Sequence, residues 1–276
     1  MSTSPRPRVL MCPPTHFSVE YDINPWMTGN RDQADRDRAA RQWNDLRALV
    51  ADAADVELID HVAGLPDMVF TANAGLVYRD VAVPSRFRHA ERAGEEAHFT
   101  RWFSGQRFDV DLLDGIEFEG AGDALLDRAA ARLWFGYGHR SDARAAGALH
   151  ALLDIEVVPL RLVDPRFYHL DTCLCPLSGG HLLYFPAAFD EAALAAIAAR
   201  VPEDKRIAVS EEDALAFACN AVNLDNVVIL NRASPTLRAQ LERAGYRVRE
   251  TPLDEFLKAG GSAKCLTLRL DEPGLA

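Results

Sequence analysis

A cysteine close to the carboxyl end follows two glycines in the segment GGSAKC, residues 260–265. A thiol is a useful nucleophile only as a thiolate, which needs nearby positive charge or a helix terminus. Glycines let the backbone turn tightly and approach a ligand. Cys265 is therefore a candidate nucleophile, and the competing interpretation is a buried core cysteine without chemistry.

A histidine and an aspartate stand two residues apart in FYHLDT, residues 167–172. We expect a strand here, so that the two side chains point to the same face. His169 is then a candidate general acid and base, with Asp171 beside it as an acceptor for a cationic substrate. A hydrogen-bonded pair at the end of a strand is the alternative.

Two acids flank three small residues in FEGAGDAL, residues 118–125. The small residues leave space for another group to approach. A carboxylate at Glu119 or Asp123 could orient a histidine or hold a cation. Ordinary turn acids are the alternative.

An aromatic and an amide lie near a turn in PDMVFTANAG, residues 66–75. Phe70 and Asn73 are candidate substrate-binding residues, because the amide can hydrogen-bond a planar polar ligand. A turn asparagine is the commoner use of that residue. Taken together, the four segments supply a thiol, a histidine and several carboxylates, a set that suits attack on an electron-poor carbon in a cationic substrate.

The elements around these segments alternate between short apolar strands and amphipathic helices, including one predicted helix over residues 91–106. Hairpins recur along the chain, and the strand–hairpin–helix unit returns at intervals of about forty to fifty residues. We predict an α/β fold in which residues 1–276 form one domain of ββαβ-like units. A doubly wound sheet is the alternative, although it does not need so many hairpins.

Composition narrows the functional classes. The 276 residues carry a formal net charge of −11 and no basic stripe, which argues against a nucleic-acid partner. The five cysteines are widely spread, a poor fit to a disulfide framework or a structural zinc site. No metal is expected, since the cysteines lack metal-finger spacing, and no nucleotide cofactor is expected, since the chain has no G-x-G-x-x-G or Walker motif. Without an apolar segment of membrane length or a signal core, we expect a cytoplasmic protein that makes no membrane contact.

The segments FEGAGDAL, FYHLDT and GGSAKC occur in this order in the amidinotransferase and deiminase superfamily, which this chain resembles over essentially its whole length. The resemblance implies the pentein fold, a five-bladed α/β propeller. The segments MCPPTHFSVEYDINPWMTGN, PDMVFTANAG and RFYHLDTC are more similar to the catalytic domains of arginine dihydrolases, which convert arginine to ornithine, ammonia and carbon dioxide. Dimethylarginine dimethylaminohydrolases and arginine deiminases are more distant resemblances.

The resemblance implies a division of labour between the catalytic residues. Cys265 would attack the guanidinium carbon and form a covalent thiouronium intermediate. His169 would protonate the leaving nitrogen and then activate water, while Glu119 orients or charges that histidine. Asp171 would hold the guanidinium, since a buried cation needs an acidic partner. A guanidinium bound there would in turn favour the thiolate.

Other residues become candidates for binding the substrate. Arg92 and Arg140 are candidates for its carboxylate, and Asn24 is a candidate polar contact. The resemblance departs at Asn73, because typical arginine deiminases have FTRD where this chain has FTAN. An amide both donates and accepts, so it can hold a neutral urea as well as a cation. Asn73 would then let the site retain citrulline and attack it again.

Several alternatives stay open. The enzyme could act on methylated arginine, stop at citrulline as a deiminase, or pass the amidino group to an amine as an amidinotransferase. A non-catalytic binding pentein would not need Cys265, His169 and Glu119 together. A papain-like thiol protease has its cysteine before its histidine, the reverse of the order here. The expected partner is a small arginine-like guanidino compound, and a homo-oligomer is possible.

Overall fold

The computed structural model describes residues 6–272, which contain fifteen short strands and eight α-helices. The strands are β1 Arg8–Met11, β2 Asp55–Leu58, β3 Gly75–Tyr78, β4 Val81–Pro84, β5 Asp109–Val110, β6 Ala124–Leu126, β7 Arg132–Tyr137, β8 Glu156–Arg161, β9 Leu174–Leu177, β10 His181–Tyr184, β11 Arg206–Ala208, β12 Val222–Leu224, β13 Val227–Leu230, β14 Arg247–Glu250 and β15 Leu268–Arg269. The helices are α1 Arg36–Ala51, α2 Ala90–Ala93, α3 Glu96–Gly105, α4 Ala145–Leu153, α5 Glu191–Ala198, α6 Glu211–Leu215, α7 Pro235–Arg243 and α8 Asp254–Leu257.

The strands form five three-stranded sheets of one design. The strand orders are β15-β1-β2, β3-β4-β5, β6-β7-β8, β9-β10-β11 and β12-β13-β14. In each sheet the first two strands pair antiparallel and the middle strand pairs parallel with the third. A parallel pair needs a long crossover, and here one or two α-helices supply it each time. This is the ββαβ unit that the sequence predicts, repeated five times.

The first strand of every sheet is its inner strand. The five inner strands β15, β3, β6, β9 and β12 together line one central cavity. Four clusters of buried apolar side chains fill the space outside them. The carboxyl-terminal strand β15 completes the amino-terminal sheet by pairing with β1, which closes the ring. The predicted fold class, a five-bladed α/β propeller, is confirmed.

Two local predictions are wrong. The helix expected over residues 91–106 is interrupted, because the side chains of Arg92 and Glu95 turn inward and pair in the core where α2 ends and α3 begins. The strand expected around His169 and Asp171 is absent as well. His169 is extended and precedes a 3₁₀ turn over Leu170–Thr172, so strand β9 begins only afterwards.

Within residues 6–272 no helix is long and apolar enough to cross a membrane. The expected cytoplasmic location and the single domain over residues 1–276 stay predictions.

Candidate active site

The chain segments that immediately precede the inner strands meet at one end of the central cavity. Each sheet contributes one such segment, and each carries a polar or nucleophilic side chain that is buried. In chain order these residues are Asn73, Glu119, His169 with Asp171, Asn220, and Cys265. A ring of five equivalent units therefore brings together residues that are up to 192 positions apart in the sequence.

Cys265 is held from several sides and is 3% exposed. Its backbone N–H donates to Asn220 Oδ1 at 3.1 Å, and its carbonyl accepts from Ala72 N at 3.0 Å. The Asn220 Nδ2 group donates to the sulfur at 3.1 Å, and the thiol donates to Asp171 Oδ2 at 3.4 Å. Burial first, and then the Asp171 carboxylate, raise the pKa of the Cys265 thiol well above its ordinary value. The thiol is positioned but protonated when the site holds no cation.

Asp171 is fully buried, and its Oδ1 atom has no hydrogen-bond partner among residues 6–272. Burial raises the pKa of this carboxyl to about 6, although the charge of Lys264 acts in the opposite direction. A buried carboxylate oxygen without a partner is costly. A cation that donates hydrogen bonds next to the thiol would satisfy it.

His169, Glu119 and Arg140 form a buried chain of contacts. His169 Nε2 lies 2.7 Å from Glu119 Oε2, and Arg140 Nη1 donates to the same oxygen at 3.1 Å. The Arg88 backbone N–H donates to Glu119 Oε1 at 3.2 Å. Burial alone would raise the pKa of Glu119, but Arg140 and His169 outweigh it and hold the pKa well below its usual range. Glu119 is therefore a permanent carboxylate that can orient His169 and stabilise its imidazolium.

The second acid of FEGAGDAL has a different task. Asp123 accepts from Ser141 Oγ at 2.6 Å and from the Leu170 backbone N–H at 3.0 Å. It thereby anchors the turn that follows His169. Burial raises the pKa of Asp123 to about 6.

Asn73 is oriented by a buried ion pair. Arg92 is bonded to Glu95 through two N–H groups at 2.8 Å each, and its Nη1 donates to Asn73 Oδ1 at 2.9 Å. The Asn73 Nδ2 group in turn donates to the Glu119 carbonyl at 2.9 Å. The two ends of the amide are thus distinguished by their partners. Arg92, which was predicted to bind the substrate carboxylate, instead holds the Asn73 amide in place.

The remaining predicted residues shape the loop that carries the cysteine. The Phe70 ring packs on Gly261, where an added Cβ would lie 2.2 Å from the ring. Asn24 donates to the Ala259 carbonyl at 3.0 Å and accepts from the Trp26 backbone N–H at 3.0 Å. Both residues therefore contact the segment 259–261 just before Cys265.

Arg140 joins the same region to the amino-terminal loop. Its Nη2 donates to the Ile23 carbonyl at 2.8 Å, and its guanidinium stacks 4.6 Å from the Tyr168 ring centroid. All nine predicted site residues thus lie in one region, and all of them except the half-buried Asn24 are buried. Their individual roles stay predictions.

One residue of this network, Asn220, was missed in the sequence, and a second, Asp67, lies in the predicted segment PDMVFTANAG but was given no role there. Asn220 bonds Cys265 directly, and it stands two positions before its inner strand and is followed by alanine, as Asn73 is. This internal repeat was the available signal. Asp67 accepts from Tyr21 Oη at 3.0 Å, but its buried Oδ1 has no partner among the residues described. No group of three or more His, Cys, Asp or Glu side chains within 6–272 is arranged to hold a metal ion.

Comparison with known proteins places this chain in a family. The family model described as N,N dimethylarginine dimethylhydrolase, eukaryotic, matches residues 15–271. The N(G),N(G)-dimethylarginine dimethylaminohydrolase of Mycobacterium tuberculosis is 41% identical to this chain over 95% of the chain and 85% of its own length.

A higher identity is found with part of a longer protein. The bifunctional arginine dihydrolase/ornithine cyclodeaminase ArgZ of Synechocystis sp. is 55% identical over 96% of this chain, which spans only 38% of the length of ArgZ. Crystal structures of the ArgZ N-terminal domain, one of a cysteine-to-serine variant bound to substrate and one of another variant covalently bonded to a reaction intermediate, both superpose with a TM-score of 0.96. Both are 54% identical to this chain and cover 97% of it, while this chain covers 99% and 98% of them, respectively.

The predicted superfamily resemblance is confirmed by these matches together with the five-sheet ring. The chain belongs to the dimethylarginine dimethylaminohydrolase family.

Proposed function

We propose that this protein is an arginine dihydrolase that uses Cys265 as its nucleophile. It would convert arginine and two waters to ornithine, two ammonia and carbon dioxide. The observation that carries this proposal is the Cys265 thiol 3.4 Å from Asp171, whose other carboxylate oxygen has no hydrogen-bond partner among the described residues. The similarity to the arginine dihydrolase domain of ArgZ supports the choice of substrate.

Arginine carries two cationic groups, and for each of them the network offers a buried carboxylate oxygen that has no hydrogen-bond partner within residues 6–272. Asp171 beside the thiol would grip the guanidinium. Asp67 is buried and held by Tyr21, and it would receive the α-ammonium group. Arg140 remains our candidate for the substrate carboxylate, because its Nε makes no hydrogen bond to the described residues, whereas all three guanidinium nitrogens of Arg92 are engaged.

The first hydrolysis follows from these contacts. A guanidinium on Asp171 offsets the negative field that opposes the thiolate, so substrate binding itself activates Cys265. The sulfur bonds to the guanidinium carbon, and His169 transfers the proton lost by the thiol to the departing nitrogen, which leaves as ammonia. His169, paired with ionised Glu119, then takes a proton from water, which attacks the carbon and breaks the C–S bond. The product at this stage is citrulline.

The second hydrolysis requires the site to hold a neutral urea. Asn73 has a second N–H and a second lone pair beyond its bonds to Glu119 and Arg92, so it can both donate to a urea oxygen and accept from a urea nitrogen. Cys265 would attack the urea carbon, a second ammonia would leave, and water would release the carbamate of ornithine, which loses carbon dioxide.

The test is an end-product assay of purified protein with arginine and, separately, with dimethylarginine. We expect ornithine and two ammonia per arginine, and no product from Cys265→Ser. Asn73→Asp should shift the product from ornithine to citrulline, because a carboxylate loses the N–H donor that a neutral urea needs.

Other results would select another member of the family. Citrulline as the end product of the unchanged protein would make it a deiminase. Turnover of dimethylarginine in preference to arginine would make it a dimethylaminohydrolase. Ornithine without ammonia, formed only with an added amine, would identify an amidinotransferase.

A further inference from the structure

Asn220 makes three hydrogen bonds through one fully buried carboxamide. Its Nδ2 donates to Cys265 Sγ at 3.1 Å and to the Asp171 carbonyl at 3.0 Å. Its Oδ1 accepts from the Cys265 backbone N–H at 3.1 Å. The side chain thus bridges the segment with the thiol and the segment with the carboxylate, and it touches both the sulfur and the backbone of the same cysteine.

The charge nearest the sulfur opposes a thiolate, because the Asp171 carboxylate lies 3.4 Å away. A backbone contact at Ser262 favours the thiolate, while the charge of Lys264 acts on Asp171. Among the described side chains, Asn220 is therefore the uncharged donor aimed at the atom that must become negative. Hydrogen bonds to charged acceptors are about twice as strong as neutral ones.

We propose that Asn220 is a positioning residue of the reaction, which fixes the Cys265 sulfur for attack and donates the hydrogen bond that stabilises its thiolate. This rests on the proposed function in one respect, the identity of Cys265 as nucleophile.

The backbone before Asn220 is built to deliver this amide. Phe217, two residues after the end of α6, adopts φ 58°, a left-handed conformation uncommon for an aromatic residue. Its ring lies 4.7 Å from that of Trp26. The chain then turns through Asn220 into β12, whose next polar side chain is Asn223.

Asn223 provides a matched control. It is also a buried asparagine with three hydrogen bonds, accepting from Ser178 N at 2.7 Å and donating to the Asp225 and Val227 carbonyls. It does not contact Cys265. A general structural effect of losing a buried carboxamide should therefore appear equally in Asn220→Ala and Asn223→Ala.

The experiment measures alkylation of Cys265 by iodoacetamide, without substrate, as a function of pH. Mass spectrometry of the Cys265 peptide separates this thiol from the other four cysteines, and Cys265→Ser gives the blank. Rates are compared for the unchanged protein, Asn220→Ala, Asn220→Asp and Asn223→Ala, together with thermal unfolding and with kcat and KM for arginine.

We expect Asn220→Ala to slow alkylation at neutral pH roughly tenfold or more and to move the profile to higher pH. Asn220→Asp, which has the same size, should slow it further, because it replaces the donor with a second carboxylate. Both should lower kcat more than they raise KM, whereas Asn223→Ala should change only the unfolding temperature. If Asn220→Ala does not fold, the alkylation profile of Asn220→Asp tests the proposal.

Unchanged alkylation profiles in the Asn220 variants, or an equal shift in Asn223→Ala, would overturn the proposal. The alkylation assay needs no substrate, so it separates this proposal from the proposed function. Failure of the function would appear instead as unimpaired turnover by Cys265→Ser.

Discussion

At the scale of single residues, the site combines acids in opposite electrostatic situations. Glu119 has Arg140 and His169 as partners and stays ionised. Asp171 is equally buried, but one of its oxygens lacks a partner among residues 6–272. Environment thus gives two equally buried carboxyls opposite pKa shifts, lowered at Glu119 and raised at Asp171.

The pH dependence of substrate binding follows from Asp171. Its pKa is raised from 3.8 to about 6, so the folded protein keeps a proton that the unfolded chain has lost between these values. Guanidinium binding must expel this proton, so affinity should fall about tenfold per pH unit below about pH 6. Calorimetric titration of Cys265→Ser with arginine between pH 5 and 8 measures this. An affinity independent of pH below 6 would contradict it.

Asp171→Asn in the same background is the control, and it should bind arginine weakly at every pH.

Asp171→Asn should also stabilise the unliganded protein. A carboxyl with a raised pKa costs stability as the pH rises through 4 to 6, so the gain should reach roughly 2–3 kcal/mol at pH 7 and vanish below pH 4. Thermal unfolding of the variant and its parent at pH 7 and below pH 4 measures whether the substitution stabilises the protein at the higher pH only.

At the scale of elements, the short segments before the inner strands do the positioning. Three of them are 3₁₀ turns, at Thr71–Ala74, Gly120–Gly122 and Leu170–Thr172. In a strand, side chains two positions apart point to the same face. In a 3₁₀ turn, successive side chains are rotated by about 120°, so side chains two positions apart point in different directions. His169 can therefore face Glu119 while Asp171 faces Cys265.

The glycine turn before Cys265 gives an element-scale prediction. A Cβ on Gly261 would lie 2.2 Å from the Phe70 ring, so Gly261→Ala must displace either the ring or the turn. We expect kcat to fall at least tenfold and stability to drop by about 1–3 kcal/mol, the usual cost of overpacking. Kinetics and denaturant unfolding measure the two effects.

Gly147→Ala is the matched control, since an added Cβ at the exposed Gly147 in α4 would have no neighbouring side chain or other element within 4 Å in the described part of the chain. It should leave kcat unchanged and gain up to about 1 kcal/mol, because alanine is the better helix former. Wild-type activity in Gly261→Ala would show that the turn does not set the position of Cys265.

At the scale of the whole molecule, the ring couples the two ends of the chain. Strand β15 pairs with β1, with Leu268 opposite Leu10, and Arg8 bonds both Asp271 and the Leu270 backbone. The carboxyl-terminal strand is thus part of the sheet that begins the fold. The position of Cys265, three residues before β15, depends on this closure.

Leu268→Ala tests the closure. Leu268 is 1% exposed, and truncating a buried leucine costs about 2–5 kcal/mol. Because the ring joins the ends, hydrogen exchange should accelerate in β1 as well as at the carboxyl end. Leu215→Ala, at a site that is 38% exposed, should change stability by about 0.5 kcal/mol or less. Loosening confined to residues after 260 would contradict the coupling.

The candidate residues, the repeating unit and the family can be predicted from the sequence, because they depend on residue type, local turn chemistry and the order of motifs. Cys265 after two glycines, His169 with Asp171, and Glu119 beside small residues became candidates because of their neighbours in the sequence. The hairpin–helix rhythm identified the repeating unit, and the motif order identified the family. Asn220 could also have been predicted, because it occupies the same position before its inner strand as Asn73 does.

Only the tertiary structure decided which of these side chains touch. Asp171 contacts Cys265, 94 positions away, rather than acting beside His169, and Arg92 holds Asn73 rather than standing open to a ligand. Such pairings depend on which face each short turn presents after five sheets have closed into a ring. A one-residue change of register reverses a side chain's direction, so no local pattern could have settled them.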